Sequence, residues 1–182
     1  PDMVGGIAVN SLGHAHPRLV KAIAEQAAAL VHVSNLYINE PAVALSHELA
    51  AISGLDRVFF SNSGAEANEA ALKAARRYQT VIRGKADKYG VLAFHDSFHG
   101  RTFGALGVTG QPKYHHGFEP LVPGTSFAHF GDLASVDAAL ADNAHIGAII
   151  VEPIQCEGGI NMPPAGFLEG LRERADRLEL VL

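Results

Sequence analysis

Apolar residues recur along the chain with two different periods, and segments of the two kinds alternate. Helical spacing of apolar positions predicts helices over residues 17–31, 40–53, 63–78, 132–140 and 167–178. Short apolar runs predict strands over residues 57–60, 90–94 and 146–151, with a further strand that begins at residue 180. Because strands that alternate with helices of this length form βαβ units, we expect an α/β fold with a mostly parallel sheet. Residues 95–124, rich in Gly, His, Pro and Phe, show no pattern that assigns them.

Residues that begin and end helices divide the chain. Pro17 stands at a first helical position, Asp132 precedes a helix as its cap, and Gly54 ends the second helix. We therefore divide the chain into an N-terminal segment with helices, residues 1–54, and the beginning of a larger domain, residues 55–182. The chain starts without a natural initiator and ends inside an apolar run, so we expect a truncated part of a longer protein.

Composition excludes several classes of protein. The chain has 182 residues, about one domain's worth, and its net charge of −5 gives no attraction to a nucleic-acid backbone. A single cysteine, Cys156, excludes an internal disulfide and is compatible with a reducing compartment. No apolar run approaches the ~20 residues that a membrane helix needs. Only 18% of the residues are charged, against roughly 25% in soluble domains, which favours a surface partly covered by another subunit.

Parallel sheets bind ligands beyond the carboxyl ends of their strands, so the segments after residues 60, 94 and 151 are the places to look. In the first segment, Ser63 and Glu66 have the spacing of a capping box, and a capped helix start explains both residues. Gly64 and Ala65 carry almost no side chain, so a phosphate group fits against the amides that open such a helix. A phosphate is tolerated beside Glu66 if its carboxylate folds back on the Ser63 N–H.

The other two segments also carry candidate binding residues. Phe98 lies in polar sequence, where its ring is available to stack on a planar ligand, and Arg101 can bind a carboxylate through two hydrogen bonds. Glu152 follows a buried strand and needs a partner, whereas Glu157 is free to meet an amine or an arginine. A surface loop with one buried Phe, and a turn with two exposed acids, explain the same residues without a ligand.

The signatures of other catalytic classes are absent from the sequence. The ten histidines include no H-E-x-x-H pair, and we expect no metal site. No G-x-S-x-G elbow is present, and the loop after residue 60 is neither a Walker loop nor G-x-G-x-x-G.

Four segments in order resemble the class-III aminotransferases, which use pyridoxal phosphate. They are residues 5–17 (GGIAVNSLGHAHP), 59–73 (FFSNSGAEANEAALK), 98–102 (FHGRT) and 151–159 (VEPIQCEGG). The resemblance covers nearly the whole chain and is strongest to the acetylornithine aminotransferase branch of the family. It implies a fold-type I transferase, with a mostly parallel sheet flanked by helices and a large domain that is incomplete in this chain.

The resemblance implies that four residues bind pyridoxal 5'-phosphate. Ser63, Gly64 and Ala65 hold its phosphate at the helix start, and Phe98 stacks on its pyridine ring. Glu152 is implied as a supporting acid near the cofactor. The lysine that forms the Schiff base and the aspartate that pairs with the pyridine nitrogen come later in the family's sequences, so we expect no catalytic residue within these 182 residues.

Two residues are implied to bind substrates. Arg101 takes the α-carboxylate, and Glu157 neutralises or gates a second arginine that binds the co-substrate in related enzymes. Cys156 replaces the glycine that the family usually has between the Gln and the Glu, so its side chain can crowd the loop of Glu157. Ile38 stands where the family often has an aromatic residue, which leaves the substrate contacts there open.

The resemblance also implies an activity and a setting. The implied protein is a cytoplasmic homodimer that moves the terminal amino group of N-acetylornithine, or a similar ω-amine, to 2-oxoglutarate in arginine biosynthesis. A 4-aminobutyrate, ornithine or succinyl-diaminopimelate aminotransferase is the alternative within the family. A non-catalytic α/β domain that binds a phosphorylated metabolite and a histidine–metal hydrolase are the alternatives outside it. The expected partners are small-molecule amines and 2-oxo acids, without nucleic acid or membrane.

We predict that the 182-residue chain alone does not transaminate. The reaction needs the cofactor ring as an electron sink and a lysine as covalent anchor and proton carrier, and the family places the lysine and the ring's counter-ion beyond residue 182. The purified chain, incubated with pyridoxal phosphate, the ω-amine and 2-oxoglutarate, is expected to release no aldehyde. Steady release of a glutamate-semialdehyde-type product, with host aminotransferases removed, contradicts this prediction.

Overall fold

The computed structural model of the protein describes residues 2–182, which divide into two units at the junction of Phe59 and Phe60. The predicted division at residues 54/55 lies nearby and stays a prediction. The helical segments of the first unit are α1 (Gly5–Ala8), α2 (Pro17–Ala29), the 3-10 turn Ser34–Leu36 and α3 (Glu40–Ser53). Because Gly6 and Ile7 have positive φ, α1 is a single irregular turn.

Local signals, and not a core, define the helices of the first unit. Pro17 is the first residue of α2, and the Asn39 side chain caps α3 by accepting a hydrogen bond from the Ala42 N–H at 3.3 Å. Gly54 ends α3 in the left-handed conformation, at φ 70°. No described side chain up to Phe59 is buried, and Ile23 of α2 is 61% exposed. The predicted apolar stripes therefore lie on the surface of this unit.

The second unit, Phe60–Leu182, contains a parallel sheet with helices around it. Its elements are α4 (Gly64–Arg77), the π-helical turn Tyr78–Ile82, β1 (Gly90–Phe94), α5 (Phe103–Val108), the 3-10 turn Pro112–Tyr114, β2 (Thr125–Ala128), α6 (Leu133–Asp142), β3 (Ile146–Ile149) and α7 (Phe167–Leu178). The strand order is β2-β1-β3, and β1 pairs in parallel with both neighbours. This confirms the predicted α/β fold with a parallel sheet. Val181 adds a parallel bridge to Ala148, where the sequence predicts a further strand.

The strand assignments differ from the sequence prediction in three places. The strand predicted over residues 57–60 is wrong: no described segment pairs with these residues, and Phe59 is 76% exposed. A strand depends on a neighbour for its backbone hydrogen bonds, and an apolar run alone does not supply one. The strand predicted over residues 146–151 ends at Ile149. Sequence patterns missed β2, because its four residues include the polar pair Thr125 and Ser126.

The central strand β1 organises the core. All five of its residues are buried, and successive side chains point to opposite faces of the sheet. On one face, Leu92 and Phe94 belong to a cluster with residues of α6 and α7, among them Phe167. On the other face, Val91 and Ala93 pack with residues of α4 such as Leu72. Helices therefore contact both faces of β1, and its carboxyl end, where parallel sheets bind ligands, is the place to look for a site.

Gln79, in the turn that follows α4, links this turn to β3 and to the end of α7. Its side chain is buried in the π-helical turn, and its Nε2 donates to the carbonyl oxygens of Gly147 at 2.8 Å and Glu179 at 2.7 Å. Glu179 ends α7 with a left-handed φ of 57°, and its carboxylate pairs with Arg83 at 2.5 Å and with Lys85. One amide group thus ties together three elements of the second unit.

We predict that Gln79→Met destabilises the chain by about 1–2 kcal/mol, because two carbonyl groups lose a buried donor. The free energy of unfolding, measured by urea denaturation, is the quantity to compare. Thr80→Val is the matched control, because the Thr80 hydroxyl bonds only to the Arg76 carbonyl one helical turn away. An unchanged urea midpoint for Gln79→Met would show that this linkage adds nothing to stability.

Candidate functional site

Helix α4 begins with a side-chain cap that matches most of the prediction. The Ser63 Oγ accepts a hydrogen bond from the Glu66 N–H at 3.2 Å, as a capping box requires. The expected return contact is wrong: the Glu66 Oε2 accepts from the Asn62 N–H at 2.7 Å, and not from the Ser63 N–H. The chain reaches the cap in an extended conformation at Ser63, which brings the Asn62 N–H within reach of the carboxylate. Glu66 is still held by a neutral donor.

The first amides of α4 are open to a ligand. The hydrogen bonds within residues 2–182 include none from the N–H groups of Gly64 or Ala65. A Cβ atom built on Gly64 would meet no atom within 4 Å, so the space around this residue is free. Since α4 has 14 residues, its start carries the partial positive charge of a helix N-terminus. The residues present therefore fit a phosphate group, as the resemblance implies.

The segment that contains Phe98 lies directly against the start of α4. The Asn68 Nδ2 donates to the His99 carbonyl oxygen at 2.7 Å. Gly100 has a φ of +121°, and a Cβ on this residue would lie 2.7 Å from the Ala65 Cβ. Real Cβ atoms do not approach so closely, so both the space and the backbone conformation require glycine here.

Glu69 fixes the other end of the same segment. Its Oε1 accepts hydrogen bonds from the Thr102 hydroxyl at 2.6 Å and from the N–H groups of Gly104 at 2.7 Å and Ala105 at 3.1 Å. The Thr102 hydroxyl, more than any other group, lowers the pKa of Glu69. Sequence reasoning missed this residue, because its partners lie 33 to 36 positions further along the chain.

Phe98, Arg101 and Tyr114 form an aromatic and cationic cluster. Phe98 is half-buried, and its ring meets the Tyr114 ring edge-to-face with centroids 5.7 Å apart. The Arg101 guanidinium lies 4.9 Å from the centroid of Tyr114 and 5.9 Å from that of Phe98. Within residues 2–182, Arg101 forms no salt bridge. Its N–H groups are therefore available to a carboxylate.

Two carboxylates lie beside this cluster. Glu152 is half-buried and its Oε2 accepts from the Phe98 N–H at 3.2 Å, which confirms the predicted burial and partner. Burial raises the pKa of Glu152, and the hydrogen bond from Phe98 opposes that effect. Glu157 is exposed, and its Oε1 accepts from the Tyr114 hydroxyl at 2.7 Å. Cys156 is an exposed free thiol.

The loop that carries these carboxylates is held by Gln155, which is buried. Its Nε2 donates to the His95 carbonyl oxygen at 2.9 Å, and its Oε1 accepts from the Asn161 Nδ2 at 3.2 Å. Gly158 packs against the Asp96 carbonyl oxygen so closely that a Cβ would overlap it. The loop after β3 is thus fixed to the carboxyl end of β1.

The candidate residues therefore converge at the carboxyl end of β1. Phe98, Arg101 and Glu157 contact Tyr114, and Glu152 reaches the Phe98 backbone. Tyr114 is not among the residues that the sequence predicts for the site, because it belongs to none of the motifs found there. Among the described residues, no group of three His, Cys, Asp or Glu side chains could hold a metal ion, and no helix is long and apolar enough to cross a membrane.

Comparison with known families decides the relationship of the chain. The family model described as "Aminotransferase class-III" matches residues 1–182. The chain belongs to the class-III aminotransferases. Structures of transaminases share its fold, so the fold expected from the resemblance is confirmed for this part of the domain.

Two curated class-III relatives match over 181 residues, which is 100% of this chain. The succinylornithine transaminase/acetylornithine aminotransferase of Pseudomonas aeruginosa is 48% identical. The acetylornithine/succinyldiaminopimelate aminotransferase of Yersinia pestis is also 48% identical. The chain spans 44% of the length of each of these relatives.

A solved structure of a relative has the same fold. The ornithine aminotransferase from Toxoplasma gondii, described with partial occupancy of PLP at its active site, superimposes with a TM-score of 0.89 at 31% identity. The match covers 97% of this chain and 42% of that chain.

The buried side chain of His99 predicts that the stability of the folded chain depends on pH. Its side chain is 6% exposed, its Nε2 has no hydrogen-bond partner among the described residues, and burial lowers its pKa to about 4. Between the ordinary pKa of 6.5 and about 4, the unfolded chain binds a proton that the folded chain does not. Stability is therefore expected to fall as the pH drops through this window, by at most about 3 kcal/mol.

His99→Phe removes this titrating group and is expected to flatten the pH dependence over the same window. The measurement is the free energy of unfolding of both chains at several pH values. Other groups titrate alike in the two chains, so the difference between them reports His99. Equal slopes for the wild type and His99→Phe would contradict the prediction.

Proposed function

We propose that the chain is the N-terminal part of an aminotransferase whose pyridoxal phosphate binds at the start of α4. The observation that carries this proposal is the pair of open amides at Gly64 and Ala65, held against the segment of Phe98 by the close approach of Gly100. Open amides thus lie against the segment that carries an aromatic ring, which supports a site for a phosphate attached to a planar ring. Membership of the class-III aminotransferases supports the choice of this cofactor.

The start of α4 binds the phosphate. The N–H groups of Gly64 and Ala65 donate to it, and the helix dipole favours its charge. The Ser63 hydroxyl accepts from the Glu66 N–H and keeps its own proton to donate. The Glu66 carboxylate accepts from the Asn62 N–H, which reduces its repulsion of the anion.

Phe98 and Glu152 orient the ring of the cofactor. Phe98 is half-buried and braced by the Tyr114 ring, so it presents an aromatic face in a fixed position. Glu152 holds the Phe98 backbone N–H and serves as a supporting acid. When bound, pyridoxal phosphate supplies the electron sink that lets an amino group move from an amine to a 2-oxo acid. The lysine and aspartate that this chemistry requires are proposed to lie in the remainder of the protein.

Arg101 binds the carboxylate of the amine donor. Its guanidinium lies over the Tyr114 ring, which leaves its N–H edges available for two parallel hydrogen bonds. Glu157 is proposed to neutralise or gate a second arginine that binds the 2-oxo acid. The names of the relatives include acetylornithine, succinylornithine and succinyldiaminopimelate. An N-acylated ω-amine such as N-acetylornithine is therefore the proposed donor and 2-oxoglutarate the proposed acceptor, in arginine biosynthesis.

The same protein is proposed to be a cytoplasmic homodimer. The low content of charged residues, 18%, supports a covered surface. The exposed apolar side chains of the first unit, such as Val20 at 53% and Ile23 at 61%, also support burial in the assembled protein.

The test uses the protein at the full length of its relatives. With pyridoxal phosphate added, it is expected to show an absorption band near the edge of the visible range and to transfer the amino group of N-acetylornithine to 2-oxoglutarate. Comparison of kcat/KM for ornithine, 4-aminobutyrate and the succinylated donors identifies the substrate. A flat spectrum without activity on any of these amines would refute the proposed function.

Arg101→Gln is expected to raise KM for the donor by about ten- to a hundred-fold, because hydrogen bonds to a charged group contribute about 1.5–3 kcal/mol. Arg77→Gln is the matched control, since Arg77 is an exposed residue at the end of α4. Steady-state kinetics with varied donor concentration measures both variants. If the two variants give the same KM, Arg101 does not bind the donor.

A further inference from the structure

Tyr114 contacts three of the residues assigned to the proposed site. Its ring meets the Phe98 ring edge-to-face at 5.7 Å and lies 4.9 Å from the Arg101 guanidinium. Its hydroxyl donates to the Glu157 Oε1 at 2.7 Å. The Lys113 Nζ also lies 4.8 Å from the centroid of this ring. The ring therefore contacts two cations, while the hydroxyl binds an anion.

The backbone of Tyr114 is fixed to the carboxyl end of β1. Tyr114 ends the 3-10 turn Pro112–Tyr114, and its N–H donates to the Gln111 carbonyl oxygen at 3.0 Å. The Gln111 side chain is buried and its Nε2 donates to the carbonyl oxygens of Asp96 and Ser97, both at 3.3 Å. Tyr114 is therefore presented from a rigid turn, as a positioning role requires.

Arg101 and Glu157 have opposite charges, are both exposed and share Tyr114 as a neighbour. The salt bridges among residues 2–182 include no pair between them. A direct pair would be favourable by up to about 1 kcal/mol at the surface. It would also occupy the guanidinium N–H groups that a substrate carboxylate needs.

We propose that Tyr114 is a positioning residue that keeps Arg101 and Glu157 apart. The ring holds the guanidinium by its face, and the hydroxyl satisfies the carboxylate with a neutral donor. The N–H edge of Arg101 is thereby left for the carboxylate of the amine donor. This inference rests on the proposed function, because it explains why Arg101 is free to bind the amine donor in that reaction.

The hydroxyl and the ring have separable roles. Tyr114→Phe keeps the ring over Arg101 but leaves the Glu157 Oε1 without its donor. Glu157 then competes for Arg101 whenever the second arginine does not hold it. Tyr114→Leu also removes the face that supports the guanidinium. Glu157→Gln removes the competing charge, and it should therefore correct the effect of Tyr114→Phe but only part of the effect of Tyr114→Leu.

The experiment measures the donor half-reaction of the full-length holoenzyme. Single turnovers with N-acetylornithine, without any 2-oxo acid, give the apparent Kd of the donor from the dependence of the rate on its concentration. Tyr114→Phe is expected to raise this Kd about two- to five-fold, the range that a surface ion pair supplies. The double variant with Glu157→Gln is expected to have the Kd of Glu157→Gln alone.

The matched control is Tyr89→Phe, since Tyr89 precedes β1 at its other end and stacks on His145. It should leave the Kd of the donor unchanged. If Tyr114→Phe has no effect, or raises the Kd by the same factor with and without Glu157→Gln, Tyr114 does not act by separating the two charges. If the wild-type holoenzyme gives no half-reaction with any of the amines, the proposed function itself fails.

Discussion

The close approach of Gly100 to Ala65 is the contact on which the rest of the site depends. It places the segment of Phe98 against the first turn of α4, at a distance that leaves no room for a Cβ atom. Asn68 and Glu69, one turn further along α4, bond to the backbone on either side of Arg101. The same helix therefore offers its open amides and holds the aromatic and cationic groups in place. The buried strand β1 provides the rigid base from which that segment leaves.

Carboxylates around the proposed anion site are each engaged by a donor from the chain itself. Glu66 accepts from the Asn62 N–H, Glu152 from the Phe98 N–H and Glu157 from the Tyr114 hydroxyl. These donors are neutral groups, and none of the three carboxylates forms a salt bridge within residues 2–182. Arg101 consequently has no salt-bridge partner in the part of the chain that the structure describes. The unpaired guanidinium is therefore available to an anionic substrate.

The sequence predicts correctly those helices and strands that are determined by residues close together in the chain. Ser63 and Asp132 cap helices where the sequence places them, and β1 has the predicted bounds because its apolar run is buried on both faces. The sequence does not predict contacts between residues that lie far apart in the chain. The apolar run at residues 57–60 predicts a strand, although a strand needs a neighbour that an apolar run does not reveal. Glu69 acts on residues more than thirty positions away.

Tyr114 shows the same limit within the candidate site. Its turn lies within residues 95–124, which show no periodicity, so only the fold shows that Tyr114 lies between Arg101 and Glu157. Motif resemblance predicts the candidate residues one by one, because each belongs to a short motif such as FHGRT. The side chain that joins them belongs to no such motif.

The central claim is that a phosphate binds at the opening amides of α4 beside the ring of Phe98. A crystal structure of the full-length protein with pyridoxal phosphate tests it most directly. The phosphate oxygens are predicted to lie within hydrogen-bonding distance of the Gly64 and Ala65 N–H groups, with the pyridine ring against Phe98. A phosphate bound away from α4, with Phe98 turned from the heterocycle, would contradict the account.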